Sequence, residues 1–314
     1  CSKFSFLKTT NKFLKENNSK VVCRMGGMAV IIGFVTALFL NENLIISQKL
    51  WGIIMASFFI LIFGIFDDFM KLEWKTQLLL QVSVAIIIFI FGIRVDYITN
   101  PSGGLFFLNI GKYLIPSFIF ASAWIVLMIN SMNWTDGIDG LSGGVTLIGT
   151  LTIFFLSLRP EVNQPPVGII AMALAGALVG FLIFNFYPSK ILAGTSGSMF
   201  MGFILAALAI FAGTKIATAL LVMSVPIIDA LWVIGERIKD GKSIFKSDNR
   251  HLHYKLLEIG WSPKKIACFF YGVTFLIAIV AMNTRAIGKI ITLVMVIIIM
   301  IATLVFVKKK LVVI

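Results

Sequence analysis

Ten apolar stretches, near residues 26 to 46, 50 to 66, 76 to 93, 114 to 132, 141 to 158, 166 to 187, 198 to 213, 215 to 235, 264 to 284 and 287 to 307, leave this chain few ways to fold. Each is about as long as a helix needs to be to cross the hydrocarbon core of a bilayer. In lipid the backbone must satisfy its own hydrogen bonds, and a helix does so within one segment. Composition agrees: 59% of the 314 residues are hydrophobic and 13% charged, with a mean hydropathy of +1.00. The expectation is an all-α polytopic membrane protein of about ten transmembrane helices, forming one domain over 1–314, since no repeat or low-complexity linker divides the chain. Small residues such as Gly176 and Gly180 are expected to let neighbouring helices pack closely.

The net charge of +13 raises nucleic acid as a partner. The basic residues are scattered between apolar segments, however, and form no patch interleaved with aromatics, so nucleic acid is not expected. Topology explains them better. Ten spans place 20 of the 27 Lys and Arg residues on the side of the N-terminus, which the positive-inside rule assigns to the cytoplasm together with the C-terminus. Residues 1–24 form a basic cytoplasmic segment in this scheme. On the outer side, Asp96 to Lys112 places apolar runs around a Pro/Gly turn, which predicts a small β-hairpin acting as a lid or packing element. Three cysteines, with no Cys-x-x-Cys spacing, indicate neither a disulfide framework nor a zinc site.

The same topology brings four polar segments to one face. Asn130 to Gly144 carries Asn133, Asp136 and Asp139, each acid followed by a glycine that lets the backbone turn tightly near a ligand. Ionised groups are costly beside bilayer-length segments, so acids kept there point to function. Asp67 and Asp68 sit where the second span leaves the membrane. Alone they read equally as a charged helix end. Beside a second acid pair they suit Mg²⁺, a hard cation that binds through one or two carboxylates plus substrate phosphates. The Ser189 to Ser198 loop, with Lys190, Gly194 and Gly197, is a candidate phosphate cradle and equally an ordinary helix-to-helix turn. His251 and His253, two residues apart, would not share a helix face, so contacts from them and Arg250 to a sugar or phosphate fit better than a helical metal site. Asp229, three residues after Pro226, is expected to be a buried structural partner.

Taken together, five segments in order resemble the polyprenyl-phosphate N-acetylhexosamine-1-phosphate transferases: Arg24 to Gly27, Phe66 to Asp68, Asn130 to Gly144, Asn185 to Gly202, and Pro226 to Asp229 through to Asp248 to His253. The His-Leu-His variant is more similar to the N-acetylglucosamine branch. The resemblance implies transfer of a sugar 1-phosphate from a UDP-N-acetylhexosamine to polyprenyl phosphate with release of UMP, in cell-envelope glycan assembly. It implies Mg²⁺ (Mn²⁺ as the alternative), catalytic Asp67 and Asp68, and metal-binding Asn133 and Thr195. Substrate contacts are implied for Asp136, Asp139, Lys190, Arg250, His251 and His253, and a homodimer is among the assemblies to consider. At Thr195 the family usually has an Asp, and at Gln77 a phosphate-contacting Lys that Lys71 or Lys75 would replace. Tyr254 stands for a His, and the family's first transmembrane helix is not recognisable before Cys23. These departures keep a binding-only homologue and an activity like phospho-N-acetylmuramoyl-pentapeptide transfer as alternatives. A transporter explains Asp229 but not four motifs on one face.

Overall fold

A computed structural model describes residues 8–10, 21–100, 103–109, 114–213, 215–243 and 250–313. Most of the basic 1–24 segment lies outside these residues, as do 101–102 and 110–112 of the expected hairpin, and Asp248 and Asn249 before the histidines. Strand β1 (Lys8–Thr10) pairs antiparallel with β2 (Val21–Cys23). Helices α1 (Gly26–Phe39), α2 (Gln48–Met70) and α3 (Trp74–Ile90) follow. Strands β3 (Tyr97–Thr99) and β4 (Leu105–Phe107) form the expected antiparallel pair. The chain continues through α4 (Ile115–Thr135), α5 (Leu141–Ser157), α6 (Pro165–Asn185), α7 (Gly194–Phe211), α8 (Ile216–Val222) and α9 (Ser224–Lys239). It closes with α10 (Leu252–Glu258), α11 (Pro263–Asn283) and α12 (Ala286–Val313).

Each of the ten apolar stretches is helical, but six helices are long and apolar enough to cross a membrane: α2, α4, α6, α7, α11 and α12. These make the chain a multi-pass membrane protein. The expected span 26 to 46 is helical only to Phe39, because Asn41, Glu42 and Asn43 follow and the Asn41 side chain accepts the Asn43 N–H, favouring a turn. The expected span 215 to 235 is α8 and α9, bent by 72° at Met223. Pro226 in the first turn of α9 has no N–H to donate back across that bend. One further difference is a correction to the sequence expectations. Gly176 and Gly180 have no heavy atom within 4 Å of where a side chain would begin, so they are not close-packing points. The His-Leu-His segment opens α10, with His251 as its N-cap.

Helix α7 is the axis of the fold. Its hydrophobic window is 89% buried, against 22% for α12, and α1, α2, α4 and α5 pack around it. Its sequence suits that place, since Gly, Ala and Ser alternate with Phe, Met, Ile and Leu and no residue in it carries a charge. The N-terminal end of α7 therefore sits where the ends of α2 and α4 can meet it.

Candidate active site

The acids of α2 are fixed by its exit from helical geometry. Lys71 takes a left-handed conformation (φ 49°) that ends α2, and the turned chain brings the Leu72 N–H onto Asp67 Oδ1 at 3.1 Å. Gln77, in the first turn of α3, donates its Nε2 to the same oxygen at 2.8 Å. Oδ2 of Asp67 takes no hydrogen bond among the described residues. Asp67 lines a pocket whose other walls are mostly apolar, including Phe59, Phe63, Leu80, Val84 and Met199, with Gln77 and Gln81 as the polar side chains beside it.

Asp68 faces a different neighbour, the start of α7. It accepts the Thr195 N–H on both oxygens (3.2 and 3.1 Å) and the Thr195 hydroxyl at 3.2 Å. A carboxylate here satisfies an orphan amide and complements the positive end of the helix dipole. Gly194, at φ +69°, gives the turn that presents Thr195 this way, and a side chain on it would press on Asp68 Oδ2. Arg24 Nη1 lies 3.4 Å from Asp68 Oδ1. The arginine is brought there by a backbone clasp in which Gly26 and Gly27 N–H donate to Leu192 and Ala193 carbonyls, and Leu192 N–H donates to Cys23 O. Arg24 Nε is buried and unpartnered.

The loop after α4 joins the same group. Asn133 Nδ2 donates to Ser198 Oγ at 3.1 Å, and Ser198 in turn donates to the Gly194 carbonyl, so the asparagine oxygen is the atom left free to ligate. Asp136 accepts the Ser142 hydroxyl at 2.5 Å. Burial pushes its carboxyl up to about 7, against the pull of Ser142 and Arg24, and the neighbouring charges of Asp68 and Asp139 add to the rise. Asp139, buried, accepts the Ser189 N–H at 3.0 Å, and Asn185 ties Gly140 N–H to the Ile191 carbonyl. One hydrogen-bonded group thus contains residues 24–27, 67–77, 133–142 and 185–198.

Helix α10 closes over it. Asp229, 3% exposed, accepts the Leu252 N–H at 2.8 Å and lies 2.8 Å from His251 Nδ1. With Nδ1 donating, Nε2 of His251 is the free acceptor. The His251 ring lies 6.0 Å from Trp134 and stacks on His253 at 5.7 Å. That stacking runs against the helix-face argument, because His251 is the N-cap of α10 and not inside it. His253 is 1% exposed and its Nε2 is buried without a partner, against Gly137. Burial holds its imidazole down to about 4; His251 lowers it further and Asp229 opposes.

Not every expected residue joins the group. Lys71, Lys75 and Lys190 are exposed, and Lys75 lies over the Trp74 ring at 5.8 Å. Gln77, not Lys71 or Lys75, reaches Asp67. Arg250 pairs with Asp240 at 2.6 Å, across the α9–α10 connection. Four residues outside the expected site belong to it: Arg24, Gln77, Ser142 and Asp229. Arg24 was signalled by its place in the Arg-Met-Gly-Gly segment, while the partners of Asp229 depend on a fold-back no spacing reveals.

The glycosyl transferase family 4 model matches residues 50–213, from the start of α2 to the end of α7. The chain is 30% identical over 278 residues to a probable undecaprenyl-phosphate N-acetylglucosaminyl 1-phosphate transferase of Bacillus subtilis, covering 87% of this chain and 76% of the relative. It belongs to glycosyl transferase family 4. A decaprenyl-phosphate N-acetylglucosaminephosphotransferase of Mycobacterium tuberculosis is 34% identical over 79% of this chain and 68% of its own length. A phospho-N-acetylmuramoyl-pentapeptide-transferase of Clostridium beijerinckii is 30% identical over 82% and 80%. The family 4 match holds both acid pairs, Asn133 and Thr195, and stops before Asp229 and α10.

The donor set fits a hard cation. No group of three or more His, Cys, Asp or Glu converges among the described residues. Mg²⁺ does not require one, since it keeps waters and substrate oxygens. The Asn133 amide oxygen, the Thr195 hydroxyl and Asp68 are neighbours through Ser198 and the first turn of α7. Asp136 beside them is a carboxyl that burial pushes up, with Asp68 and Asp139 adding to the rise and Ser142 and Arg24 opposing it.

The pH dependence of folding should carry two opposed contributions. His253 is neutral in the fold down to about pH 4, whereas an unfolded histidine is protonated below about 6.5. Its contribution to stability is therefore present above 6.5 and lost as pH falls from 6.5 towards 4. Asp136 is protonated in the fold up to about 7 but ionised above about 3.8 when unfolded, so its contribution is lost as pH rises through that window. In metal-free buffer, His253→Gln should make the melting temperature decline more steeply as pH rises from 4 to 6.5, and Asp136→Asn should do the reverse. Parallel melting curves for both variants and the parent would refute the two assignments.

Proposed function

We infer that this chain transfers N-acetylglucosamine 1-phosphate from its UDP-sugar to polyprenyl phosphate. An oxygen of the lipid phosphate attacks the β-phosphorus of the nucleotide sugar, UMP leaves, and a lipid-linked sugar diphosphate forms. The observation that carries this reading is the different placement of the two adjacent acids. Asp67, with Oδ1 bonded and Oδ2 without a hydrogen bond among the described residues, lines an apolar pocket, and Asp68 is locked to the α7 N-terminus beside Arg24. A lipid phosphate and a water-soluble nucleotide need such a two-sided site.

In this reading Asp67 Oδ2 holds or takes the proton of the lipid phosphate while Gln77 fixes the carboxylate's orientation. Arg24, with Nε unpartnered, takes a phosphate oxygen, and His251, held through Nδ1 by Asp229, offers Nε2 as an acceptor to a hydroxyl of the sugar. Asp136 and Asp139 border the nucleotide. Asn133, Thr195 and Asp68 would hold Mg²⁺, or Mn²⁺ in its place, which when bound neutralises diphosphate charge. Phosphoryl transfer needs positioning and charge neutralisation more than covalent help, and this group supplies both. The three shorter helices and the α8–α9 pair complete ten spans, with the acids and both termini on the cytoplasmic face and the β3–β4 hairpin outside. Membranes containing the protein, given UDP-N-acetylglucosamine, undecaprenyl phosphate and Mg²⁺, should release UMP. Absence of lipid-linked product with every UDP-N-acetylhexosamine tried would reject the reading.

Thr195 favours a second reading, a homologue that binds these ligands without turnover. Thr195→Asp separates the two. The new carboxylate would stand against Asp68, so the variant should melt several degrees lower in EDTA, and Mg²⁺ should restore it. A rise in turnover alongside that restoration marks a weakened enzyme. Mg²⁺-insensitive melting with no turnover marks a binder.

A further inference from the structure

Seven Lys and Arg residues lie outside the basic face; three of them, Arg159, Lys215 and Lys289, come together, with Arg285 one helical turn before Lys289. Arg159 follows α5, Lys215 precedes α8, and Arg285 and Lys289 stand at the start of α12. Helix α5 separates Arg159 from Asp139 by 17 residues, about 26 Å, and the 18 residues of α7 separate Lys215 from Thr195 by about 27 Å. The group is thus at the far end of the bundle from the acids.

Two of its cations, Arg159 and Lys289, are held by neutral acceptors. Arg159 donates Nη1 to the Met282 carbonyl at 2.6 Å and Nη2 to Asn283 Oδ1 at 3.3 Å. Lys289 donates Nζ to the Thr218 hydroxyl at 2.6 Å, and Thr218 is 1% exposed. Thr218 N–H in turn bonds the Lys215 carbonyl, and Lys289 N–H the Arg285 carbonyl. Lys289 lies within electrostatic range of both Lys215 and Arg159. No carboxylate among the described residues forms an ion pair with any of the four. These bonds orient Arg159 and Lys289 and neutralise neither, so the fold keeps mutually repelling charges at one spot without a counterion among the described residues. Such an arrangement loses its cost when an anion with several oxygens enters, and Arg and Lys together match phosphate.

The neighbourhood selects the carrier of that phosphate. Helix α12 is apolar enough to cross a membrane from Ala286 on, and Ile287, Ile290 and Ile291 in its first turns are exposed apolar side chains. A phosphate bound by cations at the start of this span would stand at the level of the lipid headgroups, where acyl chains begin. We propose that Arg159, Lys215, Arg285 and Lys289 form a binding site for the headgroup of an anionic glycerophospholipid, at the end of the bundle opposite the acids. The site stands independently of the catalytic reading.

Native mass spectrometry of the purified protein, titrated with phosphatidylglycerol or with phosphatidylcholine of the same acyl chains, tests it. The parent should retain phosphatidylglycerol about tenfold more tightly at this site. The Arg159→Gln, Lys215→Gln, Lys289→Gln triple variant should lose one tightly held phosphatidylglycerol. Arg159→Lys with Lys215→Arg should keep it. Comparing counts between variants removes lipids bound at the other face. Should the triple variant fail to fold, Lys215→Gln alone, whose side chain makes no hydrogen bond among the described residues, should weaken retention severalfold. Equal retention of both lipids, an unchanged count in the variants, or displacement of the lipid by inorganic phosphate at equal concentration would overturn the proposal.

Discussion

Asp68→Asn should lower UMP release by about 10²–10⁴-fold, the range typical of removing a positioned acid–base or charge-bearing group. The asparagine keeps an oxygen able to accept the Thr195 N–H, so α7 retains its N-terminal partner. It gives up the negative charge that faces Arg24 and the positive end of α7. The expected result is a protein that melts within a few degrees of the parent and does not turn over. Asp68→Ala removes both functions, and its melting temperature should fall further because an N–H is left without a partner. If Asp68→Asn kept more than a tenth of the parent rate, Asp68 would be a helix cap and no more. Measuring UMP release and melting on both variants separates these outcomes.

The second large effect is expected one turn earlier in α2. At Gly64 a β-carbon would fall on the Ser196 backbone, with the Ser196 nitrogen at 2.5 Å. Backbone cannot move aside as a flexible side chain does, and α7 is itself packed on every side. Gly64→Ala must therefore push α2 away from α7, at a cost of about 1–3 kcal/mol or more for overpacking. The displacement falls between Asp68 and Thr195, so activity should drop along with stability. An unaltered melting temperature would mean that the two helices do not meet as closely as described. Gly176→Ala is the control, since nothing lies near that position.

The membrane helices were legible because lipid imposes a simple demand on sequence: a long apolar run with a self-satisfied backbone. The bend at Met223 was less so, since Pro226 is tolerated in the first turn of any helix and only tertiary packing distinguishes a new start from a continuing one. Around the site, spacing located the acids on one face but could not say which way each pointed. Adjacent residues in a helix diverge by about 100°. Asp67 and Asp68 accordingly read as a pair in the sequence and serve two different neighbours in the fold. Lys71 and Lys75 were attractive as cations close in sequence to Asp67. Helix α2 ends just before Lys71, and both lysines are exposed beyond that left-handed turn while Gln77 turns in. The Asp229–His251 contact spans 22 residues, and nothing local encodes it.

The burial of α7 carries a mechanical consequence. A bilayer that thickens or thins pulls on the helices it touches, of which α12 is the most exposed, and makes them tilt. Helix α7 has almost no surface through which that pull can act. The carboxylate at its tip is thus referenced to a shaft insulated from the lipid, while Asp67, one residue away, opens toward an apolar pocket. The chain separates a fixed anvil from a compliant entrance within a single peptide bond.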